Sequence, residues 1–298
     1  MKMNSRLIRA AREGSLTEVK SLVENGAQVT AKHNQALIDS AENGHFDVVK
    51  YLVNNGAKVT AQNNSAVINS ARKGHLEIVQ YLLDNGANAR ARNNEALIGS
   101  FESGNFALIN YLINKGIDFR PRIDEALLLA VSNRSLEVVK FLVENGADVL
   151  TLNNGAIVIA AGSSSLEVVQ YLIEKGAIVN DSALINAAGC GRLEIVQYLV
   201  ENGVAVSDQA LIEAAGAGSL EVVNYLYEQG IDIKARNNLA LISAAVNGSL
   251  PVIKFLVRKG ADVTAQNNRA ITFAQIHNHS DIVNFLTKHG AYFPEINI

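Results

Sequence analysis

The chain has 298 residues, of which 48% are hydrophobic and 18% charged, a balance that predicts a folded protein and excludes a disordered one. Its net charge of −3 excludes a strong overall field that would draw it to nucleic acid or anionic lipid. The single cysteine, Cys190, excludes an internal disulfide, and neither a long apolar run nor an apolar N-terminal signal segment is present. These features predict a cytoplasmic protein without a membrane anchor.

A fourteen-residue tract recurs ten times along the chain. Its clearest copies are GHFDVVKYLVNNGA from Gly44, GHLEIVQYLLDNGA from Gly74 and GRLEIVQYLVENGV from Gly191. The closing glycines are Gly26, Gly56, Gly86, Gly116, Gly146, Gly176, Gly203, Gly230, Gly260 and Gly290. Their spacing is 30 residues, except for two intervals of 27 that end at Gly203 and Gly230. A fixed period predicts one repeat array over residues 1–298, in which the terminal repeats act as caps.

Each period predicts two helices. The first is short, as in SAVINSARK over residues 65–73, and an Asn or Asp precedes it in every repeat. We expect that residue to cap the helix, because its side-chain oxygen accepts hydrogen bonds from the free N–H groups of a first turn. These ten residues are Asn4, Asn34, Asn64, Asn94, Asp124, Asn154, Asp181, Asp208, Asn238 and Asn268. The second helix places apolar residues at helical spacing and ends at the closing glycine.

The tract GHLEIVQYLLDNGAN resembles the second helix of the ankyrin family almost residue for residue, and the resemblance extends over about residues 4–293. It implies an all-α, ankyrin-type helix–turn–helix solenoid of about ten repeats. It also implies a non-catalytic scaffold for protein–protein interaction that needs no cofactor. Members of that family bind partners through the concave face and the fingers, which are the segments joining one repeat to the next.

The repeats depart from the family pattern in length and in the start of the first helix. Periods of 30 and 27 residues are shorter than the usual 33, so we expect shortened fingers. The usual T-P-L-H-x-A start is replaced by tracts such as EALIGS and SAVINS. Short repeats of this type resemble ankyrin proteins encoded by giant DNA viruses of amoebae. That narrower resemblance implies a viral, host-directed protein in the host cytoplasm.

The residues that could carry chemistry have structural interpretations. His45 and His75 occupy the turn between helices, where the family pattern has histidine, and His277 and His279 form an HxH in the last turn. Cys190 has no basic neighbour in sequence other than Arg192, so it is not predicted to be a nucleophile. No phosphate-binding loop, nucleophile elbow or H-E-x-x-H motif occurs. We therefore predict neither an enzyme nor a metal site.

The residues that break the repeat are the candidates for partner recognition. Two neighbouring fingers each carry two arginines, the next carries two leucines, and nearby first helices carry apolar residues where other repeats are polar. The predicted binding patch consists of Arg90, Arg92, Arg120, Arg122, Leu129, Leu150, Leu152 and Ile159. Arginine and exposed apolar side chains are enriched at interface centres. The patch predicts a protein partner with an acidic–hydrophobic segment, bound by a monomer.

Two alternatives remain open. A self-assembling structural repeat protein would need apolar array ends, whereas the terminal repeats carry polar residues such as Arg6, Arg9 and Lys288. A weak nucleic-acid binder would use the four arginines, but the negative net charge opposes it.

Overall fold

The computed structural model describes residues 2–163 and 165–293, and these residues contain helices and turns but no strand. The all-α prediction is confirmed. The chain divides into two compact units, Met1–Asp148 and Val149–Ile298.

The first unit contains ten α-helices and a 3-10 turn in its described residues. They are α1 (Lys2–Glu13), α2 (Leu16–Glu24), α3 (Ala31–Glu42), α4 (Phe46–Asn54), α5 (Ala61–Arg72), α6 (Leu76–Asp84), α7 (Ala91–Ser103), α8 (Phe106–Asn114), the 3-10 turn Arg120–Arg122, α9 (Ile123–Ser132) and α10 (Leu136–Glu144).

The second unit contains a further ten α-helices in its described residues. They are α11 (Thr151–Ser163), α12 (Leu166–Glu174), α13 (Asp181–Gly189), α14 (Leu193–Glu201), α15 (Asp208–Gly216), α16 (Leu220–Glu228), α17 (Ala235–Asn247), α18 (Leu250–Arg258), α19 (Ala265–Ile276) and α20 (Ser280–Lys288).

Each repeat is one helical hairpin whose apolar stripe is covered by its neighbours. In the hairpin α5–α6, Val67 and Ala71 are fully buried on the first helix, and Val79 and Leu82 are fully buried on the second. Within each unit the first helices pack closely on one another, while the second helices touch only lightly. Buried alanines permit the close approach of the first helices. The first-helix side is therefore the tighter, concave side of each stack.

In six hairpins the range given for the first helix opens with a left-handed turn, and the regular helix begins only after that turn. Three consecutive residues, none of them glycine, have φ between 48° and 66° in each case. The six turns are Lys32–Asn34, 62–64, 92–94, 152–154, 236–238 and 266–268. A left-handed residue other than glycine costs roughly 1–2 kcal/mol, and Asn tolerates this conformation best. The Asn-Asn pair that ends five of the six turns is thus suited to this conformation, and the sixth turn ends in His33-Asn34.

The predicted N-cap role of these Asn and Asp residues is wrong for most hairpins. Asn64, itself left-handed and buried, accepts a hydrogen bond at Oδ1 from the backbone N–H of Asn88 at 2.7 Å. The side chain therefore joins the start of a hairpin to the segment that follows its second helix. The same bond occurs in Asn4–Gln28, Asn34–Lys58, Asp124–Asp148, Asn154–Ile178, Asn238–Asp262 and Asn268–Tyr292. We call this contact the hairpin clamp.

In the fourth repeat the clamp has reversed polarity, because the Asn94 side-chain amide donates to the carbonyl of Asp118 at 2.9 Å.

The two 27-residue repeats lack the left-handed turn. Their first helices, α13 and α15, follow extended residues whose side chains do cap the helix. Asn180 Oδ1 accepts from Ala183 N at 3.0 Å, and Ser207 Oγ accepts from Ala210 N at 3.3 Å. The caps therefore lie one residue before the predicted Asp181 and Asp208. The three missing residues equal the length of the left-handed turn.

The predicted turn role of the histidines is confirmed. His75 Nε2 donates to the carbonyl of Glu42 in the preceding hairpin at 3.0 Å, and the ring lies over Gly44. A Cβ added to Gly44 would lie 2.7 Å from that ring, so the close approach requires glycine. Equivalent contacts join His45 to Arg12 and His279 to Val246.

Replacing Asn64 with Ala should lower the free energy of unfolding by about 2 kcal/mol, because both the clamp bond and a residue suited to left-handed φ are lost. The matched control is Asn63→Ala, which loses a left-handed Asn (φ 54°) for which no clamp bond is found in the described residues. Urea unfolding of both variants measures the difference. Equal destabilisation would contradict the clamp.

Candidate functional site

The four arginines of the predicted binding patch lie in the first unit, and three of them are held by contacts within the protein. Arg90 Nη2 donates to the carbonyl of Gly116 at 2.9 Å. Arg92 begins a left-handed turn, and its Nη2 donates to the carbonyl of Gln62 at 2.6 Å and to Ser65 Oγ at 2.8 Å. The guanidinium groups of Arg90 and Arg92 thus donate hydrogen bonds to backbone carbonyls of the protein itself.

Arg122 is the most deeply engaged of the four. Its guanidinium forms a two-pronged contact with Glu125 at 2.7 and 2.6 Å and a further ion pair with Glu95 at 3.3 Å. Only 21% of its side chain is exposed. The hydrogen bonds to Glu125 raise the pKa of Arg122, and the same contact lowers the pKa of Glu125. Arg72 also pairs with Glu95, so the network spans three repeats.

Arg120 differs from the other three arginines. It belongs to the Arg-Pro-Arg 3-10 turn, where the fixed negative φ of Pro121 is incompatible with a left-handed turn. Its side chain is exposed, and its guanidinium has no hydrogen bond or ion pair within residues 2–163 and 165–293. Arg120 is therefore the arginine of the predicted patch that is available to another molecule.

Leu129 is half-buried on α9, on the first-helix side of the first unit. Earlier first helices of this unit carry charged residues on that side, and these are paired between repeats. Arg12, for example, contacts the buried carboxylate of Asp39 at 2.7 Å. The charges on this face of the first unit are thus largely neutralised internally.

The apolar members of the predicted patch lie at the start of the second unit. Leu150 is 41% exposed and Leu152 is 73% exposed, whereas Ile159 is half-buried on α11. Leu152 begins a left-handed turn, with φ of 49°. The other left-handed turns begin with Lys32, Gln62, Arg92, Arg236 and Gln266. Leu152 is thus a strained residue that also exposes its apolar side chain to water.

Sequence reasoning missed a third apolar residue of this surface, Ile178, which is 58% exposed. Its backbone N–H donates to Asn154 Oδ1 at 3.3 Å, so it lies beside the turn that begins at Leu152. The equivalent residues elsewhere include Gln28, Lys58, Asn88, Asp148, Asp232 and Asp262. Comparison of the repeats at this position would have found it. We call Leu150, Leu152 and Ile178 the apolar finger patch.

No charged residue occurs in the segments that carry the apolar finger patch, 149–163 and 176–180. On the first-helix face of this unit, glycines occupy the positions held by Arg12 and Arg72 in the first. These glycines are Gly162, Gly189 and Gly216, and each lies beneath a side chain of the next repeat. An open depression beside them is lined by Val158, Ile185, Asn186, Cys190 and Glu213. The surface is therefore apolar with few charges.

The described residues contain no group of three or more metal-ligating side chains placed around one point. His277 and His279 stack with ring centroids 6.1 Å apart, and His279 is already hydrogen-bonded to Val246. Cys190 is exposed. Among the described helices, none combines the length and the apolar character needed to cross a membrane.

The chain that forms these stacked hairpins, with their half-buried turn histidines and closing glycines, matches one family model. The ankyrin repeat model, which contains three copies of the repeat, matches residues 3–63, 60–123, 120–182, 157–237 and 211–297. The chain belongs to the ankyrin repeat family. The ankyrin matches reach across both the 30-residue and the 27-residue repeats, so loss of the left-handed turn leaves the family pattern recognisable. No curated protein matches the sequence of this ankyrin repeat chain.

Replacing Arg122 with Met should lower the free energy of unfolding by about 1 kcal/mol at about pH 7. Because the folded state lowers the pKa of Glu125, the ion pair contributes above the unfolded pKa of Glu125 and is lost as the pH falls through the folded value. The difference in unfolding free energy between this variant and wild type should therefore be smaller at about pH 3 than at about pH 7. Urea unfolding at both pH values measures it, with Arg120→Met as the matched control. A difference that does not change with pH would contradict the assignment.

Proposed function

We propose that this ankyrin repeat protein is a non-catalytic scaffold that binds a partner protein through the first-helix face and the fingers. The observation that carries the proposal is the apolar finger patch. Exposed apolar side chains at adjacent points mark interaction surfaces, and here they replace residues that are mainly polar in the other repeats. Ankyrin repeats generally mediate protein–protein interaction, which supports the same conclusion.

Backbone strain at Leu152 strengthens the argument. A left-handed leucine costs free energy, and its 73% exposed side chain recovers little of that cost by packing inside the protein. Residues that break a local rule without a structural gain tend to be functional. Contact with a partner would bury the Leu152 side chain and provide the stabilisation that packing inside the protein does not.

The segments around the patch constrain the chemistry of the partner. Segments 149–163 and 176–180 carry no charge, so the partner segment that covers the patch should be apolar. Arg120 supplies a separate, available positive charge in the first unit. A partner with an acidic and an apolar segment would suit both features. Since Arg90, Arg92 and Arg122 bond to other residues of the protein, their charges contribute less to recognition than the sequence predicts.

The wider setting of the protein is also part of the proposal. The likeness of its short repeats to ankyrin proteins of giant DNA viruses supports a host-directed scaffold that acts as a monomer in the host cytoplasm. A single exposed thiol suits a reducing compartment.

Self-assembly through the array end is a second candidate, favoured by one observation. The last hairpin exposes Ile276, Tyr292 and Phe293, whereas a polar end is expected of a capped array. Sedimentation velocity at increasing concentration separates the two candidates, because end-to-end association would raise the average mass. Weak nucleic-acid binding has less support, since three of the four arginines contact the protein's own repeats.

The experiment that tests the scaffold places a photo-crosslinking residue at position 152 of the full chain to identify the partner. Calorimetry with the purified partner then compares wild type with the double variant Leu152→Gln/Ile178→Lys. We expect affinity to fall at least about tenfold, because two apolar contacts are lost. Ile276→Gln, at an isoleucine exposed to a similar degree in the last hairpin, is the matched control and should leave affinity unchanged.

Unchanged affinity of the double variant, with circular dichroism and urea unfolding as for wild type, would reject the apolar finger patch as the binding surface. A tenfold loss of affinity in the variant Arg120→Glu that is reduced by added salt would support the proposal that the partner has an acidic segment.

A further inference from the structure

Asn-Gly pairs occur eight times in the chain, and they share a well-defined chemical weakness. The backbone nitrogen of the glycine can attack the side-chain carbonyl carbon of the asparagine, because glycine offers little steric hindrance. A new N–Cγ bond forms, the side-chain nitrogen leaves as ammonia, and a cyclic imide results. Water then opens the imide to aspartate or isoaspartate. The asparagines are Asn25, Asn43, Asn55, Asn85, Asn145, Asn154, Asn202 and Asn247.

Hydrogen bonds restrain seven of these eight asparagine side chains. In six of them the side-chain amide donates to the carbonyl four residues earlier, at 2.7–2.8 Å, as Asn55 does to Tyr51. In the seventh, Asn154 Oδ1 holds the hairpin clamp to Ile178. A side chain tied back along its own helix keeps Cγ away from the glycine nitrogen, which must be reached for the imide to form.

Asn247 is the exception. It is the exposed last residue of α17, and its side chain has no hydrogen bond within residues 2–163 and 165–293. Its amide lies near Gly216 of the preceding hairpin, since a Cβ on Gly216 would be 3.4 Å from Asn247 Nδ2. In the first hairpin, Arg12 occupies the position of Gly216. Its larger side chain leaves less room for Asn43 than Gly216 leaves for Asn247.

The chain provides its own matched comparison. Asn43 and Asn247 occupy the same position in their repeats, both are exposed, and each precedes a glycine with φ of 82°. They differ in that Asn43 Nδ2 donates to the carbonyl of Asp39 at 2.8 Å. Exposure and the φ of the following glycine therefore do not separate the two residues, whereas the side-chain hydrogen bond does.

We infer that Asn247 is a site of spontaneous modification, at which the folded protein converts asparagine to aspartate or isoaspartate faster than at its other Asn-Gly pairs. The product places a negative charge at the C-terminal end of α17, where the helix dipole disfavours it. Isoaspartate also lengthens the backbone beside Val246, whose carbonyl accepts the hydrogen bond from His279. Modification would therefore loosen the contact between the last two hairpins.

The test incubates the full folded chain at mildly alkaline pH and follows each Asn-Gly peptide by mass spectrometry. We expect Asn247 to convert about fivefold faster than Asn43, the factor that one ordinary hydrogen bond supplies. In denaturant the two rates should converge, because only the fold distinguishes them. Limited proteolysis before and after incubation confirms that the chain stays folded.

One variant completes the test. Asn247→Gln should remove the fastest conversion and leave the rate at Asn43, the reference residue, unchanged. Equal rates at Asn43 and Asn247 in the folded chain would overturn the inference, as would faster conversion at any of the other six pairs.

Discussion

The hairpin clamp is the contact on which the repeat geometry depends. One side-chain oxygen accepts the backbone N–H located 24 residues later, as Asn64 does for Asn88, and so closes seven of the hairpins on themselves. In five of these hairpins, as at Asn64, the asparagine itself is left-handed, which costs free energy in any residue other than glycine. Asn4 and Asp124 accept the equivalent bond without a left-handed φ. The cost is tolerated because Asn suits this conformation and because the bond satisfies a backbone donor at the turn.

This constraint explains why the repeats come in two lengths. Six of the longer repeats contain the left-handed turn, and the repeat that begins with the Arg120–Arg122 turn keeps only the clamp bond. A 27-residue repeat omits three residues and starts its helix from an ordinary cap at Asn180 or Ser207. Both solutions leave the buried faces of the helices in place, since residues such as Ala187 and Ala214 stay fully buried in the shorter hairpins. The stack therefore accepts both without losing its core.

The same geometry decides which finger residues form hydrogen bonds between repeats and which remain exposed. Side chains at the fingers lie beside the neighbouring repeat as well as solvent. Arg92 and Arg122 therefore donate hydrogen bonds to the preceding finger. Leucine at the same position cannot donate such a bond. Leu152 is therefore left with an exposed apolar side chain, which suits the proposed role of the apolar finger patch in recognition.

The sequence by itself determined the helical hairpin, its period, the closing glycines and the turn histidines. These depend on local spacing and on contacts repeated identically in each copy, which a periodic sequence displays directly. Only the tertiary structure decided that the recurring Asn or Asp of the longer repeats is a clamp rather than a cap, because its partner lies 24 residues away. Only the structure, likewise, distinguished Arg120 from Arg122 and added Ile178 to the apolar surface. Sequence spacing gives a side chain's position in the repeat, whereas its hydrogen-bond partner and its exposure are set by the neighbouring hairpin packed against it.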